Sequence, residues 1–293
     1  MITTLAPIEF DEATFLQDGN VTLPPMPAVM SALMEALHSG RTSTRYVADL
    51  IRMDPGITAQ VLRVVNSAYY GLPQPLSDIT HSVAYLGFGE VYRIVITLSV
   101  LGALTSEDRA AFDRIRAHSY HTALVAKLIL RTHERAIEGS DAYTMAVLHD
   151  VGKLVYQRYY PRHFAVLDEY ARANGVFMVE AEAHFGLPSH TTFGRLLCER
   201  WRLPAAVRDA CHRHELRHLP SLAATDPHTS LLRVVTVSNL LAALSSGELS
   251  DGRNIAIARA AESALRCSRD DLLILLASVF ELRSEVQRFL NES

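Results

Sequence analysis

Cysteine is scarce in this chain: Cys198, Cys211 and Cys267 are the three in 293 residues. The odd number and the lack of any CxxC spacing argue against a disulfide framework or a cysteine zinc site, so buried reduced thiols are expected. An excess of either charge is also missing, with Lys+Arg 28 against Asp+Glu 32 and a net charge of -4. No nucleic-acid partner is expected, because RIRAH and RYYPRH are too short to make a basic face. Long apolar runs are absent too. The most apolar, IVITLSVLGAL from Ile94 to Leu104, is far below the roughly 20 residues that cross a bilayer, so no membrane partner is expected. The N-terminal MITTLAPIEFDEATF carries acidic residues where a signal peptide would be positive, which makes the cytoplasm the expected address. Nucleotide-cradling G-x-x-x-x-G-K-[ST] and G-x-G-x-x-G loops are lacking, as is the G-x-S-x-G nucleophile elbow.

What is present is helix. The chain is 49% apolar and 20% charged, enough to bury one large core or two modest ones. Apolar residues recur at helical period almost throughout, and no segment alternates over a strand's length, so the fold class is all-α. Start and stop signals divide the first part. Pro25 and Pro27 lead into AVMSALMEALHSG with Gly40 as its stop, Thr44 precedes YVADLIRM, and Asp54-Pro55 is a cap and first-turn pair for GITAQVLRVVNSAYYG. Ser77 is the expected cap of DITHSVAYLG, with Gly87 and Gly89 separating it from EVYRIVITLSVLGAL. Together these make an N-terminal bundle of about five short helices.

Composition shifts after Ser106: ten of the thirteen histidines lie between His118 and His218. The expected domains are an N-terminal extension 1–19, a helical subdomain 20–105, and a second helical subdomain 106–293 packed on it. In the second, helices are expected at 107–135, 141–160, 162–174, 178–185, 190–201, 204–214, 229–245, 253–266 and 269–290. The apolar stripe in DLLILLASVFELRSEVQRFL runs for less than three heptads and reads as core packing.

The segment LPPMPAVMSALMEAL, then DPGITAQVLRVVNSAYYGLPQPLSDITHSVAYLG, resembles the N-terminal part of the HDOD family, bacterial signalling modules related to the HD-domain phosphohydrolases. The resemblance continues through HTALVAKLIL, AVLHDVGKLV, HTTFGRLLCERWRLP and ACHRHE, and covers roughly residues 20 to 245. It implies an HD-like helical domain in the second part. Asn66, Ser67, Tyr69, Gly71, Pro73 and Pro75 in its most specific string read on physical grounds as a rigid corner between helices.

By the same resemblance, His121 matches the first histidine of the HD metal set, and His149 with Asp150 matches the central pair. The distant aspartate falls at Asn239, whose neutral amide would remove one formal charge and weaken the hold on a divalent ion. His118, one turn before His121, together with Lys153, His190 and His214, are further candidates for supporting the ligands or contacting a bound molecule. His212 and His214, two apart on a helix, do not share a face, so one of them at most points inward. Arg213 beside His214, and the absence of any glycine between Gly194 and Gly247, separate the chain from the cyclic-di-GMP phosphodiesterases of the HD-GYP type.

The resemblance therefore implies a non-catalytic regulatory module that binds a signalling protein of the two-component or cyclic-di-GMP type, or a small ligand. With no receiver or cyclase segment in its 293 residues, it would act in trans. The competing reading is a metal-dependent phosphohydrolase with His121, His149, Asp150 and Asn239 around iron, manganese or zinc and Lys153 on phosphate. A third reading has Lys153 and Asp150 as a plain helical ion pair in a degenerate pocket.

Overall fold

The computed structural model describes residues 8, 26–137, 141–223 and 226–291. The expected extension 1–19, residue 8 apart, and the Pro25 start signal lie outside the described residues. The protein is all-α, with no strand among the described residues. It separates into two compact units, the first ending at Thr105 and the second taken up at Ser106.

The first unit contains α1 (Ala28–His38), α2 (Thr44–Arg52), α3 (Pro55–Val65) and α4 (Ile79–Ala103). α1 begins after Pro27 without a side-chain cap, while short polar side chains start α2, α3 and α4 by accepting their orphan amide protons. Ser43 accepts from Tyr46 and starts α2. Asp54 accepts from Ile57 ahead of Pro55. The cap of α4 is Asp78 rather than Ser77, because its carboxylate reaches the amides of both Thr80 (2.7 Å) and His81 (3.2 Å). Gly87, at φ +81° and ψ 161°, is non-helical and divides α4 into two helical stretches, so about five helical segments stand, as expected. Between α3 and α4 the Asn66 amide exchanges two 2.8 Å hydrogen bonds with the backbone of Leu76, closing the corner that Gly71 turns at φ +59°.

The second unit runs through α5 (Arg109–Thr132), α6 (Ala142–Leu148), α7 (Val151–Tyr159), α8 (Pro161–Asn174), α9 (Met178–His184), α10 (His190–Arg200) and α11 (Ala205–Arg213). A 3-10 turn (Leu216–Leu222), α12 (Pro227–Ser246), α13 (Asp251–Leu265), α14 (Arg269–Glu281) and α15 (Arg283–Asn291) complete it. Its axis is α12, packed against α5, α6, α11 and the 3-10 turn. Leu231, Leu232, Val234, Val235, Leu240 and Leu241 of α12 are buried, and each such side chain contributes about 1.5–3 kcal/mol before entropy is counted.

Two expected helices are broken. The span 141–160 divides at His149–Asp150, and 269–290 divides at Leu282. Two helices, Ile79–Ala103 and Pro227–Ser246, are long and apolar enough to cross a membrane; the apolar window of the second is 78% buried within the protein, which accounts for its composition as that of a core helix. The three cysteines are free, with Cys198 and Cys211 buried and Cys267 half-buried.

Candidate metal centre

The break between α6 and α7 creates the site. All seven residues of α6 are buried, so the chain enters the core apolar and leaves it at His149 and Asp150, both only 1% exposed. Gly152 then lets the first turn of α7 rest directly on the backbone at the start of α10, and Ser189 caps α10 through the Thr192 amide. His190, the first residue of α10, is thereby held against Asp150. His214 and Glu215 arrive from the end of α11, and Asn239 from the middle of α12.

Asp150 is the centre of the cluster. Its Oδ2 accepts from the Lys153 ammonium at 2.7 Å and lies 3.3 Å from His149 Nε2 and 3.7 Å from His118 Nε2. Its Oδ1 lies 3.4 Å from His190 Nε2 and 3.3 Å from His214 Nε2. Neither Oδ1 nor His149 Nε2 has a hydrogen-bond partner although both are buried. Around this centre, the Nδ1 atoms of three rings face oxygen acceptors: His149 faces the Ala146 carbonyl at 2.7 Å, His214 the Ala210 carbonyl at 2.9 Å, and His190 Glu182 at 2.8 Å. Such partners fix the tautomer and turn each Nε2 toward the centre, as the outer partners of metal-bound histidines do.

Burial opposes charge on every one of these groups, and the neighbours decide the outcome. For Asp150 the burial penalty is outweighed by the nearby His149, Lys153 and His190, which hold its carboxyl far below the usual range. His214 is penalised by burial but held up at about 9 by Asp150 and Glu215, and His190 is likewise raised, mainly by Glu182 and Asp150. Glu215, against its burial, is kept at about 2 by His214, His190 and Lys153. His118 falls to about 3, because for it burial prevails over Asp150.

The structure brings together His149, Asp150, Lys153, His190, His214 and Asn239 of the residues expected from the sequence. On α5 it is His118, not His121, that meets them. His121 Nε2 is 2.9 Å from the Val279 carbonyl, a group in the last turn of α14 that has no acceptor role within its own helix once the chain breaks at Leu282. His118 Nε2 instead lies 2.8 Å from Asn239 Oδ1, while Asn239 Nδ2 donates to the His214 carbonyl at 3.2 Å. That second bond orients the amide, leaving His118 Nε2–H as the donor to Oδ1 and its lone pair unavailable. The set His121, His149, Asp150 and Asn239 therefore does not assemble as four ligands. His118, His149 and Asp150, and separately Asp150, His190 and His214, are close enough to hold a metal ion. The cluster opens on a cavity of about 440 Å³ lined by His118, Asp150, Lys153, His214, Glu215 and Asn239, with Phe164 and Phe177 among its apolar walls.

The HDOD domain model matches residues 23–216. The chain belongs to the HDOD family. The HDOD fold recurs in a Geobacter sulfurreducens HDOD domain protein of unknown function, 21% identical, covering 95% of this chain and 98% of that one at a TM-score of 0.69. It recurs also in a Shewanella amazonensis protein described as a candidate phosphohydrolase, 19% identical over 95% and 97% of the two chains, TM-score 0.69. A third, from Marinobacter aquaeolei, is described as a candidate signal transduction protein, 17% identical over 95% of this chain and 64% of that one, TM-score 0.65. An uncharacterized Treponema pallidum protein is 23% identical over 238 residues, and the match spans 80% of this chain and 45% of that protein.

Two members of the HDOD cluster were not expected from the sequence as site residues, Glu182 and Glu215. Glu182 sits in MVEAEAH two positions from Glu180; the pair lie on different faces of α9, and nothing in the residue pattern tells which is buried. Glu215 adjoins His214 in CHRHE, and that adjacency was the available signal.

Proposed function

We propose that this HDOD chain is a non-hydrolytic regulatory module that acts by binding a signalling protein or a small ligand, with the cavity over Asp150 as its ligand site. The observation that carries the reading is the hydrogen bond between His118 and Asn239. In a hydrolytic HD set a carboxylate at position 239 would help bind the ion; here a neutral amide engages the histidine instead. A second charge effect supports the reading, since the Lys153 ammonium lies on the Asp150 oxygen nearest His118 and His149. An ion on that side would have one carboxylate, already paired, to neutralise it. Were a divalent ion held there, His118, His149 and Asp150 would hold it, and it would supply Lewis acidity and an acidified water. The Marinobacter relative's description as a candidate signal transduction protein accords with a signalling partner.

The phosphohydrolase reading is kept by one observation, the unpartnered buried Nε2 of His149. The test is hydrolysis of bis(p-nitrophenyl) phosphate and of cyclic dinucleotides with added Mn²⁺, wild type beside His149→Ala. Equal background rates are expected. A wild-type rate well above that of the variant overturns the proposal and restores the hydrolase.

A further inference from the structure

We infer that α15 is a lid on the cavity over Asp150, turning about the joint at Leu282 and latched to α5 and α12, a conclusion that rests on reading that cavity as a ligand site and adds how it is reached.

The first observation is where α15 lies. Arg283, Val286, Gln287 and Leu290 line the cavity, and their spacing of i, i+3, i+4 and i+7 places them on one face of the helix. That face is therefore one wall. The cavity, at about 440 Å³, has the size of pockets that hold a small molecule.

The second is how lightly this wall is fastened. Of the residues of α15 only Val286 is fully buried, whereas α12, which faces the same cavity, is buried along most of its length. Two side-chain contacts complete the attachment. The Phe289 ring stacks on Tyr120 of α5 with centroids 4.0 Å apart, and Arg283 Nη1 donates to the Ser245 carbonyl near the end of α12 at 3.1 Å. Each separates without disturbing another element. A segment held by so few buried apolar contacts opens locally at a free energy well below that of global unfolding.

The third is the joint. α14 ends at Glu281 and α15 starts at Arg283. The Val279 carbonyl, which in an unbroken helix would accept from the amide of Arg283, faces His121 Nε2 at 2.9 Å instead. His121, with the buried Leu272, Leu275 and Val279, keeps α14 in place. Rotation at Leu282 thus moves α15 alone. A ligand that touches both the floor of the cavity and Leu290 favours the closed position through its contacts with α15.

The experiment uses the full chain carrying Cys267→Ser and Ala243→Cys. Cys198 and Cys211 are buried, so the remaining accessible thiol lies on the cavity wall, and its labelling by N-ethylmaleimide reports opening. Phe289→Ala is expected to speed labelling about 10-fold, the equilibrium equivalent of losing one aromatic pair. Arg283→Ala should also speed it. Ile274→Ala, on the exposed face of α14, should leave the rate unchanged. Labelling is followed well below each variant's urea midpoint, so that global unfolding is not counted as opening. In hydrogen exchange on the unmutated chain, the amides of α15 are expected to exchange together while those of α14 and α5 stay protected. The lid is overturned by a labelling rate that neither Phe289→Ala nor Arg283→Ala changes, by one that already equals that of a free thiol before either is introduced, or by α15 amides that exchange no faster than those of α14. Neither measurement needs a ligand, so a cavity that binds nothing would sink the regulatory reading without altering these results.

Discussion

A methyl group at position 152 would lie 1.8 Å from the His190 carbonyl oxygen and 2.8 Å from the Gly194 nitrogen, both backbone atoms. Neither can give way without moving α10, and α10 carries His190. Gly152→Ala is therefore expected to destabilise the protein by roughly 3 kcal/mol, the upper part of the overpacking range, read as a lower urea midpoint. Lys153 makes a different contribution. Its side chain is 22% exposed while that of its Asp150 partner is 1% exposed, so removing the cation leaves an anion in the core. A fully buried pair broken in this way costs about 3–5 kcal/mol; with water reaching the Lys153 side, Lys153→Met is expected to cost about 2 kcal/mol, measurable by the same titration. The residue that the sequence could not choose was the histidine of α5. His118 and His121, one turn apart, are both compatible with an inward face, and only the Val279 carbonyl, supplied from far along the chain, takes His121 away.

Among the elements, the helix starts were legible where a short polar side chain precedes an apolar period, as Asp54-Pro55 shows. The breaks were not. Apolar residues continue at helical period across VLHDVGK, so 141–160 reads as one helix, yet the chain ends α6 at Leu148 and restarts at Val151 to aim two polar side chains at others brought by α10 and α11. At the start of α4, Asp78 gives a pH-dependent prediction. Arg52, then Thr80 and the capped amides, hold its carboxyl at about 2, below the roughly 3.9 of an unfolded chain. Its contribution is fully present above pH ~4 and is lost as pH falls toward 2, because the unfolded state takes up the proton first. Asp78→Asn keeps an acceptor for the cap but has no proton to gain. The drop in melting temperature from pH 4 to pH 2 is expected to be smaller in this variant than in wild type; an equal drop would show that the Asp78 carboxyl is not shifted.

For the whole molecule, every residue of the metal cluster and of the cavity lies after Ser106. A chain of residues 106–293 is therefore expected to lose as much of its urea midpoint on Gly152→Ala as the full protein does. A clearly smaller loss in a folded fragment would mean that residues before Ser106 contribute to the packing around the site. By itself the sequence determined the all-α class, the HDOD membership and the adjacency of His149, Asp150 and Lys153, because helical period, capping residues and a contiguous motif are local properties. Only the tertiary structure decided that Asn239 engages His118, and that Glu182 and Glu215 close on His190 and His214. Those contacts join residues 8 to 121 positions apart, apart from neighbouring His214 and Glu215, and the packing of separate helices, which no local pattern encodes, sets which side chains meet.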